Sequence, residues 1–227
     1  MIPMANAILW ISVFAGLALG AMAFIQGGLS RRSVWFAVTM LFSALWSLGI
    51  IISFANPAEW HDTYGGLVNV PPVMLFFAIS QMMLAYVNIP EWVRKLSLAL
   101  AGVAAILLSG MMIFADGFLL VHASGEGDTF HMSYNPITMG IIGVQLALLV
   151  VLTLIIMIRA MKEARTPMGK KLIRNVMIGY LCGFVAGGVF NVAMSSNHWI
   201  HWVGPAATLI YAVTMYRAVI KFGADEV

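Results

Sequence analysis

Charge is the scarcest property of this sequence. Only 9% of its 227 residues are Asp, Glu, Lys or Arg, whereas 62% are hydrophobic. A soluble domain usually carries about 25% charged residues, so this chain could not cover a water-facing surface with charge. The composition therefore excludes an ordinary soluble domain and predicts an all-α membrane protein whose surface is covered by lipid.

Cysteine and early basic residues are also nearly missing. The single cysteine, Cys182, excludes an intrachain disulfide. No Lys or Arg precedes Arg31, so the apolar N-terminus lacks the basic region of a signal peptide, and we expect it to be retained as a first span. The net charge of +3 is explained by membrane topology, and we expect no nucleic-acid partner.

Long apolar runs are what the sequence has in abundance. A helical span needs about 20 mostly apolar residues, and seven stretches joined by mostly short connections meet this requirement. We therefore expect one seven-helix transmembrane domain over residues 1–227. The predicted spans are 5–26, 34–55, 67–88, 96–116, 136–159, 173–194 and 200–220.

The basic residues indicate the orientation of these spans. All 12 Lys and Arg residues lie on one side of the predicted bundle, in the connections after spans one, three and five, at the adjoining span ends, or at the end of span seven, and none lies in the other connections. Basic connections stay in the cytoplasm. We therefore expect an extracytoplasmic N-terminus and a cytoplasmic C-terminus.

The longest connection on the opposite side, 116–136, predicts a short β-hairpin. The turn sequence GEGD at 125–128 is flanked by apolar and aromatic residues. With a four-residue loop, His122 would lie opposite His131. Asn135 and the proline after it predict the start of span five, where the missing proline N–H costs nothing.

All five histidines fall on the side without basic residues, and NHWIHWVGP at 197–205 contains two of them. They leave three interpretations open: a metal site, a pH-responsive cluster, or an interfacial belt of His and Trp at the headgroup level. The sequence does not identify a metal. The candidate residues of this outer histidine cluster are His61, His122, His131, His198 and His201.

No charged residue lies near the middle of any predicted span. This absence argues against a pump that uses buried carboxylates, and span seven has no central lysine for a retinal Schiff base. Uncharged polar residues remain, and they predict either a ligand cavity open to the outer leaflet or hydrogen bonds between helices, worth about 0.6 kcal/mol each. They are Asn69, Gln81, Gln145, Tyr180, Asn191 and Tyr211. We also expect Pro71-Pro72 to kink or unwind the start of span three.

Several segments resemble the N-terminal seven-transmembrane sensor region of bacterial histidine kinases. They are FAVTMLFSALWSLGIIISFA after SRRS, the Pro71-Pro72 pair, YNPITMG, RAMKEARTPMGKKLIRN and WVGPAATLIYAVTMYRAVIKF. The resemblance implies a receptor-like role in a bacterial plasma (inner) membrane. No kinase segment follows within the 227 residues, so the chain is either a standalone member that signals through a cytoplasmic partner or a piece cut from a longer protein.

Three functions follow as hypotheses. The first is a sensor that binds a ligand or detects a stimulus from the extracytoplasmic side or the outer leaflet and passes it to that partner, with no cofactor expected. The second is a membrane redox subunit that binds haem or copper through the outer histidines. The third is an accessory or assembly subunit of a larger membrane complex. Homodimerisation stays open. The spans offer no nucleophile–base pair, and we expect no enzyme.

Overall fold

The computed structural model describes residues 2–55, 57–115, 120–124, 131–184 and 203–221. Within these ranges the chain forms seven α-helices and two short strands. The elements are α1 (Ile2–Gly27), α2 (Arg31–Ala55), α3 (Pro57–Leu84), α4 (Glu91–Phe114), β1 (Leu120–Ser124), β2 (His131–Tyr134), α5 (Pro136–Glu163), α6 (Pro167–Phe184) and α7 (Val203–Lys221).

Four of these helices are long and apolar enough to cross a membrane, judged by length and composition. They cover Met4–Gly27, Arg31–Ile52, Glu91–Phe114 and Pro136–Glu163. Shorter apolar helices cover Asn69–Leu84 and Val203–Val213. The described residues thus provide four spanning helices rather than the predicted seven. One reason is that α3 starts with a polar segment, PAEWHDTY, and residues 185–202 of predicted spans six and seven lie outside the described ranges.

Local sequence signals explain where several helices begin and end. Gly28 adopts a φ of +57° directly after α1, a conformation that suits glycine and ends a helix. At the start of α5, the Asn135 side chain accepts hydrogen bonds from the backbone N–H groups of Ile137, at 3.0 Å, and Thr138, at 3.4 Å. Pro136, between Asn135 and Ile137, occupies the first helical turn, as the sequence predicts.

The proline pair in α3 does not unwind the helix, which is one of the two outcomes that the sequence predicts for it. The helix begins at Pro57 and continues through Pro71 and Pro72 to Leu84, so the pair does not start or unwind it. Two prolines remove only two N–H donors from the helical ladder. Membrane helices tolerate such a loss because neighbouring helices and local adjustments satisfy the freed carbonyls.

The strands between α4 and α5 pair antiparallel, but in a register that differs from the prediction. His122 pairs with Ser133, and Ser124 pairs with His131. The predicted opposition of His122 and His131 is therefore wrong. Ser124 pairs with a residue two positions further along the chain than predicted, so the paired ends are separated by six residues rather than four. An irregularity between Leu120 and His122 changes the pairing register again at the far end of the hairpin.

Helix packing forms a ring with one helix outside it. In chain order around the ring, α1, α2, α3, α5, α6 and α7 each pack on the next, and α7 returns to α1. The fourth helix, α4, packs mainly on α3. A small residue allows α1 and α2 to approach closely: a Cβ added at Gly20 of α1 would lie 3.0 Å from the Cβ of Met40 on α2.

The helix ends that carry Lys and Arg lie together, and we call this the basic end of the bundle. Arg31 at the start of α2 donates two hydrogen bonds, of 3.0 and 2.8 Å, to the carboxylate of Glu91 at the start of α4. The Tyr216 hydroxyl of α7 donates to Gln26 near the end of α1, at 3.3 Å. These contacts join α2 to α4 and α7 to α1 at the basic end.

Candidate functional site

A cavity of about 500 Å³ lies between α3, α4 and α5. Both α4 and α5 pack on α3, but within the described residues they make little contact with each other, so a gap remains between them. Along α4 the lining extends from Val93 near the basic end to Leu108, and along α5 from Ile156 to Ile142. The volume falls within the range of small-molecule pockets, about 300–1,000 Å³.

The wall of this cavity is almost entirely apolar. Its polar lining residues are Ser97, Gln145 and Thr153, and no charged residue of the described chain lines it. The buried Gln81 side chain lies behind the wall and contacts the Ser97 hydroxyl through Nε2 at 3.5 Å. An apolar pocket with a few placed polar groups is the usual form of a site for a lipid-soluble molecule.

A second feature is a cluster of three buried tyrosines: Tyr86 in the connection after α3, Tyr180 on α6 and Tyr211 on α7. All three side chains are at most 2% exposed and belong to one hydrophobic core. Three elements therefore bring phenol groups to one place inside the bundle.

Tyr180 is held by hydroxyls from two other helices. Its hydroxyl lies 3.4 Å from the Ser80 hydroxyl of α3 and also hydrogen-bonds with Thr153 of α5. Because the Thr153 hydroxyl donates its hydrogen to the Leu149 carbonyl at 2.7 Å, it must accept from Tyr180. The direction of this bond is thus fixed, and Tyr180 is the donor.

Tyr86 connects the cluster to the basic end. The Arg32 guanidinium lies 4.8 Å from the centre of the Tyr86 ring, a cation–π distance, and its Nε donates to the Ala85 carbonyl at 3.3 Å. The Tyr86 hydroxyl is buried with its ring. Among the described residues, this hydroxyl has no hydrogen-bond partner.

Thr153 belongs to both features. Its side chain lines the cavity, and its hydroxyl accepts the hydrogen bond from Tyr180. A molecule in the cavity would therefore touch a residue that is bonded to the tyrosine cluster. Tyr86 belongs to the same hydrophobic core as Tyr180, and its ring lies beneath Arg32.

The six residues that the sequence predicts to line one cavity do not all lie together in the structure. Gln145 lines the cavity and Gln81 supports its wall, whereas Tyr180 and Tyr211 lie in the tyrosine cluster. Asn69, on α3, is not among the lining residues, and position 191 lies outside the described residues. The tyrosines pack with groups near the basic end, not at the opposite end where the sequence suggested a cavity.

Sequence reasoning overlooked Ser97, Thr153, Tyr86 and Arg32. Serine and threonine are frequent in membrane helices, and Thr153 bonds back to its own helix, so only the tertiary contact with Tyr180 distinguishes it. Arg32 was attributed to topology alone. Its neighbour Arg31 carries the exposed ion pair, which leaves Arg32 directed towards Tyr86.

The outer histidine cluster remains a prediction. His61 lies in α3, and the strands contain His122 and His131, while His198 and His201 lie outside the described residues. Across the described ranges, no group of three or more His, Cys, Asp or Glu side chains is placed to hold a metal ion. The haem or copper hypothesis depends on histidines that these ranges do not fully include.

No protein-family model matches the chain, and no curated protein matches it significantly in sequence.

Proposed function

We propose that this chain is a seven-span membrane sensor, with its N-terminus outside and its C-terminus in the cytoplasm of a bacterial plasma membrane. Seven helices within the described residues and the single basic end support this arrangement. The stimulus is a molecule that occupies the cavity between α3, α4 and α5, and a cytoplasmic partner receives the signal at the basic end.

The observation that carries this proposal is the shared position of Thr153. Only a ligand that binds two conformations with different affinities can shift their equilibrium. A ligand in the cavity contacts Thr153 directly, and Thr153 accepts the hydrogen bond that holds Tyr180 of α6. A ligand that displaces Thr153 therefore weakens this hydrogen bond. It destabilises the arrangement of α5 and α6 that the bond holds, relative to an arrangement without the bond.

The cytoplasmic partner would detect such a displacement at the basic end. Tyr180 packs in the same core as Tyr211 of α7, and Tyr216, further along α7, contacts Gln26 of α1 at the basic end. Movement of α6 and α7 against α1 and α2 would alter the surface that a cytoplasmic partner contacts.

A cavity-filling substitution can test this mechanism without a known ligand. Ala104 lines the cavity on α4, so Ala104→Phe places a ring where a ligand would lie. Spin labels at Leu29→Cys and Lys170→Cys, both exposed in the wild type, report the distance between the α1–α2 connection and α6 by electron–electron double resonance. The native cysteine is replaced by serine in every variant.

We expect Ala104→Phe to change this distance distribution and the matched control Val103→Phe to leave it unchanged, because Val103 is 57% exposed and does not line the cavity. Adding Thr153→Val to Ala104→Phe should restore the wild-type distribution, since the bond to Tyr180 is then lost. Identical distributions in all four proteins would refute the proposed coupling.

A further inference from the structure

We infer that the cavity takes a neutral lipid-soluble molecule, made of an extended hydrocarbon chain and an uncharged oxygen that Gln145 recognises. This inference rests on the proposed sensor function, for which it names the class of ligand. Three properties of the cavity support it: its length, its lack of charge and the state of the Gln145 amide.

The length of the cavity suits an extended chain. Lining residues on α4 run from Val93 to Leu108, which corresponds to about 22 Å at 1.5 Å per residue. Since α4 and α5 make little contact with each other in the described residues, a molecule in the bilayer would reach the cavity sideways between them. A compact polar metabolite would neither fill this shape nor approach it from lipid.

Gln145 explains why the ligand must carry a polar group. Its side chain lines the cavity beside the apolar side chains of Ile142 and Leu149, and among the described residues it makes no hydrogen bond. It lies nine residues into α5, or about 14 Å from the helix start, where lipid rather than water surrounds the bundle. An amide without a partner in such a medium is costly, and a ligand oxygen would accept its N–H.

The hydroxyls of the wall are not equivalent. Thr153 already donates to Leu149 and accepts from Tyr180, so it has no hydrogen left to donate. Ser97 is contacted by Gln81 Nε2, which leaves its own O–H free to donate nearer the basic end. Gln145 and Ser97 are therefore the two donors that the cavity offers.

The absence of charge in the wall selects the kind of oxygen. No Lys or Arg of the described chain lines the cavity, and a carboxylate or phosphate buried there would have no counter-charge. Ketone, quinone, ester and alcohol oxygens need only the donors that Gln145 and Ser97 supply. The occupant is therefore a neutral oxygen-bearing lipid rather than an anionic one.

Matched probes test this inference on the purified full chain in detergent. Heptadecane, 2-heptadecanone and heptadecanoate have chains of equal length, and the melting temperature is titrated with each at the same mole fraction, because a ligand of the folded state stabilises it by mass action. A single membrane hydrogen bond corresponds to about 3- to 20-fold in affinity. We expect the ketone to bind more tightly than the alkane by about this factor, and heptadecanoate to show no such advantage.

Three variants locate the effect. Gln145→Leu should remove the preference for the ketone and keep binding of the alkane. Ala104→Phe should abolish binding of both, and Val103→Phe should bind like the wild type. Equal affinities of ketone and alkane in the wild type, preference for heptadecanoate, or full binding by Ala104→Phe would each overturn the inference. The distance measurement on Ala104→Phe uses no ligand, so failure of the ligand class and failure of the sensor mechanism would be told apart.

Discussion

Removing the hydroxyl from Tyr180 should lower the stability of the protein, whereas removing the hydroxyl from Tyr86 should not. Both rings are fully or almost fully buried in the same core, and replacement by phenylalanine keeps both rings in place. The difference between the two is polar: the Tyr180 hydroxyl bonds with Ser80 and Thr153, whereas the Tyr86 hydroxyl has no partner among the described residues.

The magnitudes follow from these contacts. Hydrogen bonds between membrane helices average about 0.6 kcal/mol and reach about 1.7 kcal/mol. Tyr180→Phe should therefore lower the free energy of unfolding by about 0.6–1.7 kcal/mol. An unsatisfied buried polar group costs about 1–3 kcal/mol. Its removal by Tyr86→Phe should therefore leave stability unchanged or raise it by about 1 kcal/mol, while the ring stays beneath Arg32.

Reversible unfolding in mixed micelles, followed by circular dichroism at increasing denaturing detergent, measures both effects. A double-mutant cycle of Tyr180→Phe with Thr153→Val isolates the bond between them, and we expect a coupling of at least about 0.5 kcal/mol. Equal losses in Tyr86→Phe and Tyr180→Phe would refute the assigned hydrogen bonding. A coupling of zero would separate Thr153 from the tyrosine cluster and remove the basis of the proposed sensor.

Three further predictions concern other parts of the chain. Gln145→Leu should raise the free energy of unfolding of the ligand-free protein by about 1 kcal/mol; a loss in the same micelle assay would show that the amide is satisfied. With the native cysteine replaced, Lys170→Cys should react with an impermeant maleimide in inside-out vesicles and not in intact spheroplasts, the reverse result meaning the opposite orientation. Ser124→Cys with His131→Cys should form a disulfide more readily than His122→Cys with His131→Cys, as mass spectrometry can establish.

The sequence was most informative where the determining physics is local. An asparagine followed by a proline has one favourable use at the start of a helix, and Asn135 caps α5 as predicted. The long apolar runs likewise predict helices, because only hydrophobic residues match the surrounding lipid. These signals need no knowledge of which helices become neighbours.

The sequence was least informative where distant residues meet. The register of β1 and β2 depends on how many residues the connection takes up, and a change of two positions separates His122 from His131. The pairing of Thr153 with Tyr180 and of Arg32 with Tyr86 joins residues far apart in the chain. No composition or spacing rule encodes these contacts, so the candidate site emerged only from the folded arrangement.

The position of α4 outside the ring has a consequence for how the protein assembles. Because the other six helices of the described residues form a closed circuit of contacts without it, α4 can detach by leaving α3 and breaking the Arg31–Glu91 pair, and this circuit stays closed. Regions with few supporting contacts open at a lower free energy than the whole fold. We therefore expect α4 to be the last helix to dock during folding in the bilayer and the first to be cut by a protease when detergent loosens the bundle.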